Sequence, residues 1–168
     1  MSYVVRPVVP ADLDDVLVIN NASVPAVSEL DAPALERLVG QTRLALAVVD
    51  DATDAVAGFA LCLLPGADYA SENYRWFEAR SSDFLYVDRI AVGEGSRGRG
   101  LGRVLYAAIF DDARALGLAE VCCEVNTRPP NPGSMRFHTR LGFVEVGRQS
   151  TKGGSVDVAM LAAPALVG

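Results

Sequence analysis

The sequence predicts an α+β fold, a mixed and mostly antiparallel sheet of about seven strands flanked by about four helices. Two observations carry this. Alternating or continuously apolar runs rich in Val, Ile and aromatic residues recur at residues 3–8, 44–49, 55–64, 84–92, 118–125, 144–146 and 156–161. Stretches of helical period fall between them, beginning near Pro10, Asp31, Leu101 and Asn131. A third observation bounds the organisation: no internal repeat or low-complexity linker interrupts the 168 residues, which suit a single domain over residues 1–168. A compact fold of that size buries roughly 70% of its unfolded-state surface, enough for a core without staples.

Taken in order, residues 3–8 alternate as a first strand, and Pro10 then opens a helix. Asp12, Asp14 and Asp15 lie in its first turns, where the dipole favours acids, and Leu13, Val16, Leu17 and Asn20 share one face. A loop around Pro25 follows. Asp31 caps a second short helix with Leu35, Leu38 and Val39 inward, ending at Gly40. Residues 44–49 and 55–64, joined by the polar turn 50–54, read as an antiparallel hairpin. Residues 67–82 hold Tyr69, Tyr74, Trp76 and Phe77 among charges without a clean period, and fit a lid over a ligand or a docked surface segment.

Residues 84–92 are apolar on both faces and so belong mid-sheet, with Asp88 and Arg89 near the end needing partners or a purpose. Immediately beyond comes Ser96-Arg97-Gly98-Arg99-Gly100-Leu101-Gly102-Arg103, running without a spacer into a helix. That arrangement suits an anion. Glycines let successive N–H groups converge, the helix start adds its unpaired N–H groups and positive dipole end, and three arginines add full charges. The helix carries Leu101, Val104, Leu105, Ala108, Ile109, Ala113 and Leu116 on one stripe and stops at Gly117. The glycine spacing fits neither the dinucleotide fingerprint nor the Walker loop.

Composition excludes several classes of function. The formal net charge of -6 disfavours nonspecific nucleic-acid binding, so the local arginines suit a small anion. No apolar run approaches the ~20 residues of a membrane span. The beginning of the chain lacks the pattern of a signal peptide, so a cytoplasmic location without membrane partners is expected. Cys62, Cys122 and Cys123 sit in strand-like runs without metal-ligand spacing and read as buried inert thiols, with no metal site.

The pattern Arg97-x-x-Gly100-x-Gly102 between a strand and a helix resembles the coenzyme A loop of the GNAT superfamily of acyl-CoA-dependent N-acyltransferases. A second feature stands in register with it. The family's Asn-bearing turn and the helix that follows are matched by Asn131 and by Phe137-His138-x-x-Leu141-Gly142-Phe143. The resemblance implies a sheet splayed between the fourth and fifth strands and direct acetyl transfer from acetyl-CoA, as co-substrate, to the primary amine of a small molecule or protein. Homodimers are common in the family. By the same resemblance Ile90, Ala91 and Val92 would take the pantetheine arm. Arg97, Gly98, Arg99, Gly100, Leu101, Gly102 and Arg103 would take the diphosphate, with Asn131, Ser134 and Phe137 also on the cofactor. His138 replaces the family's usual tyrosine. It is either the general acid toward the departing thiolate or a structural residue holding its helix. Asp88 stands where relatives carry a water-relayed base, or else anchors Arg89. Glu29, Tyr74 and Trp76 are candidates for the acceptor pocket. A non-catalytic acyl-CoA sensor of the same fold is the alternative.

Overall fold

The computed structural model describes residues 2–166. Seven strands stand in the order β1-β2-β3-β4-β5-β7-β6, with β1 Tyr3–Pro7, β2 Leu44–Asp50, β3 Val56–Leu63, β4 Phe84–Val92, β5 Glu120–Arg128, β6 Val144–Thr151 and β7 Val156–Pro164. The β1–β2, β2–β3, β5–β7 and β6–β7 pairs are antiparallel. The β4–β5 pair is parallel, with a register running from Phe84 opposite Glu120 to Tyr86 opposite Cys122. Five α-helices accompany them: α1 Leu13–Ala22, α2 Ala32–Gln41, α3 Glu72–Arg80, α4 Leu101–Ala115 and α5 Pro132–Arg140. The predicted class, strand count and mixed sheet are all present, with one helix more than expected. No helix among the described residues is long and apolar enough to cross a membrane.

The chain forms two compact units, and β4 contributes to both. The first comprises residues up to Leu63 together with Val87–Asp112. Its β1-β2-β3 ladder is apolar wherever it is covered, and Val48, Phe59, Ala60, Leu61, Cys62 and Leu63 are fully enclosed. Asp31 caps α2 through the Ala34 N–H at 2.8 Å, as its sequence position predicts. From α1 the buried residues are Val16, Ile19 and Asn20, while Leu13 and Leu17 are half-buried. At the start of this unit Arg6 grips Asp12 with its two terminal guanidinium nitrogens, at 2.7 and 3.0 Å, and Asp12 also accepts the Val9 N–H at 2.8 Å. This pins the 3-10 turn Pro10–Asp12 that leads into α1.

Leu101, Leu105, Tyr106, Ile109 and Ala113 are the buried side of α4. Val104 and Leu116, expected inward, are 41% and 39% exposed. Leu116 falls beyond the last helical residue, and Val104 lies beside a stripe that steps by four and then takes in Tyr106.

The second unit comprises Leu64–Tyr86 and the residues from Ala113 onward. Here the segment 67–82, read from sequence as a lid or a docked piece, carries the helix α3, docked by its aromatics. Ser71 caps α3 through the Tyr74 N–H at 3.2 Å, and Tyr74 and Phe77, one turn apart, are both fully buried. Only two apolar anchors in nine residues give too little period for sequence to resolve. β6 runs longer than predicted, because the polar residues 147–151 suit an end strand of the sheet, and β7 extends to Pro164, which pairs with Glu120 of β5. Gly147 lacks a side chain for a visible reason: a Cβ there would meet Trp76 Cζ2 at 2.3 Å.

Candidate functional site

In the first unit the short turn Glu94–Ser96 leads from β4 into the glycine segment. Gly98 and Gly100 have φ of +78° and +72°, the left-handed region open to glycine at little cost. Gly102 has a different task, since it already lies inside α4. Arg97, Arg99 and Arg103 are exposed around this turn. The first N–H groups of any helix have no acceptor within the helix, so the entry to α4 presents donors and a positive dipole end beside three cations. Chemically such an arrangement suits an anion, and the buried side of α4 holds it in place.

The strand feeding this turn changes character along its length. Phe84 to Val87 are buried, and beyond them Ile90 and Val92 on one face are half-buried while Arg89 and Ala91 stay covered. Its end is fixed by the Gly93 N–H donating to Ala57 O at 2.8 Å. Gly58 permits the close approach of β3, since a Cβ there would come within 2.9 Å of Ala91 O.

Asp88 and Arg89 partner each other, with Nε to Oδ2 at 2.7 Å and both side chains about 5% exposed or less. Arg89 Nη1 further donates to Asn20 Oδ1 and to the Ser28 carbonyl, both at 3.0 Å. Asn20 Nδ2 donates to the same Ser28 carbonyl at 3.0 Å and to Asn21 Oδ1 at 2.9 Å. Asn21 in turn brackets Leu30, donating to its carbonyl at 2.9 Å and accepting its N–H at 3.0 Å. A buried arginine is thus paired and hydrogen-bonded, as a charge out of water requires. Sequence reading marked Asp88 and Arg89 as needing partners but missed the clamp. Its only signal was the adjacent Asn20-Asn21 pair at the end of a helix. Glu29, between the two clamped residues, is exposed.

In the second unit Asn131 caps α5, its Oδ1 accepting the Ser134 N–H at 3.3 Å. His138 is 5% exposed, and its Nδ1 stands 2.8 Å from the Ser134 carbonyl. A carbonyl can only accept, so Nδ1 carries the proton of the neutral ring and Nε2 carries the lone pair. Phe137 and Phe143 each lie with their ring centroids 5.3 Å from the imidazole, edge to face. Burial lowers the His138 pKa below 6.5, outweighing the Ser134 bond that raises it.

Tyr74, expected at the acceptor, is fully buried, with its hydroxyl donating to the Leu64 carbonyl and accepting the Ala67 N–H. Burial raises its pKa, as it does those of the Cys62 and Cys122 thiols. All three cysteines are buried, as expected of inert thiols. Trp76 is half-buried, edge-on to Phe77 and over Gly147. A polar network that sequence did not indicate lies beside them. Glu124 accepts from the Tyr86 hydroxyl at 2.9 and 2.7 Å and from Asn73 Nδ2 at 3.2 Å, and Asn73 Oδ1 accepts from Gln149 at 3.0 Å. No His, Cys, Asp and Glu cluster able to hold a metal occurs among the described residues.

The model of the acetyltransferase (GNAT) family matches residues 19–143. Phosphinothricin N-acetyltransferase of Streptomyces coelicolor is 40% identical over 58 residues, which span 34% of this chain and only 33% of that protein. Among solved structures, Ard1 from Thermoplasma volcanium superposes with a TM-score of 0.80 at 19% identity, over 99% of this chain and all of that one. The yncA protein of Salmonella typhimurium, solved with its cofactor acetyl-CoA, gives 0.71 at 19%, over 100% and 96%. At that identity the structures establish the fold.

Proposed function

The chain belongs to the acetyltransferase (GNAT) family, and from that premise we propose that it forms one acetyltransferase domain that passes the acetyl group of acetyl-CoA directly to a primary amine. One observation carries the reading: the turn with Gly98 and Gly100 at positive φ, ringed by Arg97, Arg99 and Arg103, opens into α4 as a seat for the coenzyme A diphosphate. Arg97 to Arg103 hold that diphosphate, and Ile90 to Val92 take the pantetheine arm along the half-open face of β4. The likeness to a phosphinothricin N-acetyltransferase supports a small free amine as acceptor. A cytoplasmic setting, where acetyl-CoA is at hand, goes with the reading.

The neutral amine attacks the thioester carbonyl, a C–N bond forms, and the C–S bond breaks to release the thiolate. A backbone N–H near Val92 steadies the oxyanion, worth on the order of 3 kcal/mol for a well-aimed donor. Asp88 and His138 act here as holding residues rather than as base and acid. Asp88 is tied to Arg89, and His138 is a buried neutral ring whose N–H is engaged by Ser134. A neutral imidazole with that tautomer offers a lone pair, not a proton, from Nε2. Protons therefore pass to and from solvent. The loss of the family's tyrosine at His138 also favours the second reading, an acyl-CoA sensor without turnover.

Thiol release from acetyl-CoA, followed across a panel of amines, tests the choice. Release dependent on an amine supports the transferase. Binding of acetyl-CoA with no release on any amine makes the protein a sensor, and absence of binding overturns both.

A further inference from the structure

We propose that Lys152 is an acetylation site of the protein's own activity, its side-chain amine taking the acetyl group of acetyl-CoA from the same chain or from a second copy of it. The inference rests on the transferase reading above and names one acceptor for it. Lys152 is the only lysine among the 15 Lys and Arg residues of the chain. Guanidinium groups stay protonated and are closed to acyl transfer, so no other side chain offers a primary amine. The backbone around this lysine is tied down. Lys152 begins the turn Lys152–Gly154 between β6 and β7, directly beyond the last rung of that ladder, Thr151 opposite Val156. Its N–H donates to Glu72 Oε2 at 3.3 Å, and its carbonyl accepts from the Ser155 hydroxyl at 2.8 Å. Arg128 Nη2 donates to the Gly154 carbonyl. The side chain, by contrast, is exposed, and among the described residues no hydrogen bond or ion pair engages its ammonium. Glu72 takes the backbone N–H rather than the charge.

Lys152 also holds φ at +53°, in the left-handed region that a side chain disfavours. Gly153 and Gly154 follow at +67° and +88°, and a Cβ on either would meet nothing within 4 Å. A third glycine would serve this backbone without strain, so the turn itself does not call for lysine. What the lysine adds is a primary amine at the tip of a hairpin, with neighbours too slim to screen it. In the transfer the ammonium gives a proton to solvent and the neutral amine attacks the thioester carbonyl. The C–N bond forms, the C–S bond breaks, and the CoA thiolate takes a proton from solvent. Each modified chain loses one positive charge.

The test incubates the purified protein with acetyl-CoA and follows the intact mass and the peptide that carries residue 152. One acetyl group per chain on Lys152 is expected. Lys152→Arg, which keeps the charge, should lose it while releasing thiol with free amines at the wild-type rate. Arg97→Glu with Arg103→Glu, both at exposed positions, reverses charge at the proposed diphosphate seat. It should slow the modification at least about tenfold, the scale of losing one charge-assisted hydrogen bond. Mixing that double variant with the Lys152→Arg protein puts the working seat on one chain and the lysine on the other. Label on the double variant then shows transfer between copies, and label confined to the wild-type protein shows transfer within one; either supports the site. Acetylation of the double variant alone at the wild-type rate marks a chemical reaction in solution and overturns the inference. So does acetyl on the α-amine with none on Lys152. Acetylation of free amines with Lys152 unlabelled overturns this inference alone. No thiol release with any acceptor, CoA still binding, fails the transferase reading and this inference together.

Discussion

Replacing Gly58 by alanine presses on the strand that the proposed function needs most. An added Cβ would stand 2.9 Å from Ala91 O, 3.1 Å from Val48 Cγ1 and 3.3 Å from Val92 Cα. The first and third of these are backbone atoms and cannot swing aside, and Val48 is fully buried. The end of β4 must therefore shift by a few tenths of an ångström. Overpacking of this kind costs about 1–3 kcal/mol, and the stiffer unfolded chain of alanine returns about 0.4–1 kcal/mol. A net loss of about 1–2 kcal/mol lowers Tm by about 2–8 °C in a protein of this size. Ala91 and Val92 belong to the edge proposed for pantetheine, so CoA affinity should fall together with stability. Thermal unfolding by circular dichroism and a calorimetric titration with CoA measure the two effects. An unchanged or raised Tm with wild-type affinity would refute the reasoning.

Gly147→Ala meets a shorter contact, 2.3 Å, but with the far end of a half-buried indole; Trp76 should tilt out, seen as a red-shifted fluorescence maximum with a smaller Tm loss than Gly58→Ala. Asp12→Ala removes a carboxylate that accepts from Arg6 and Val9 and should cost about 1.5–3 kcal/mol in denaturant unfolding. The Arg6 bond holds the Asp12 pKa below 3.8, so this stabilisation is whole above that pH and fades as pH falls through the lower folded value. His138 titrates with a folded pKa depressed by burial. Its contribution is present above about 6.5 and is lost as pH falls through the folded value, a dependence that His138→Gln should remove from a pH series of melting curves. If His138 is a holding residue, that variant keeps most of its kcat between pH 6 and 9, whereas a collapse of kcat would make it the general acid.

Much of the sheet was legible because its signals are local. The alternation of 84–92, the capping Asp31 and the glycines around Leu101 each act within a few residues, and β4, α2 and α4 begin where those signals place them. What escaped depends on partners distant in sequence. The helix α3 exists because Tyr74 and Phe77 find Phe84 and Tyr86, with ring centroids between 5.4 and 6.5 Å, and nothing within residues 67–82 announces that. The polar end of β6 is strand because β7 pairs with it through Thr151 and Val156. In the candidate site the glycine turn leading into α4, with its exposed arginines, was plain from residue spacing. The clamp on Ser28 and Leu30 joins residues 20, 21 and 89, and no sequence period connects them.

The seat proposed for the diphosphate is the deciding feature, and titration calorimetry reaches it by comparing CoA with pantetheine, which lacks the diphosphate. CoA is expected to bind, to weaken as salt rises because exposed arginines hold it, and to bind far more tightly than pantetheine. No heat with CoA, or equal affinity for the two ligands, would contradict the assignment of the turn at Gly98 and Gly100.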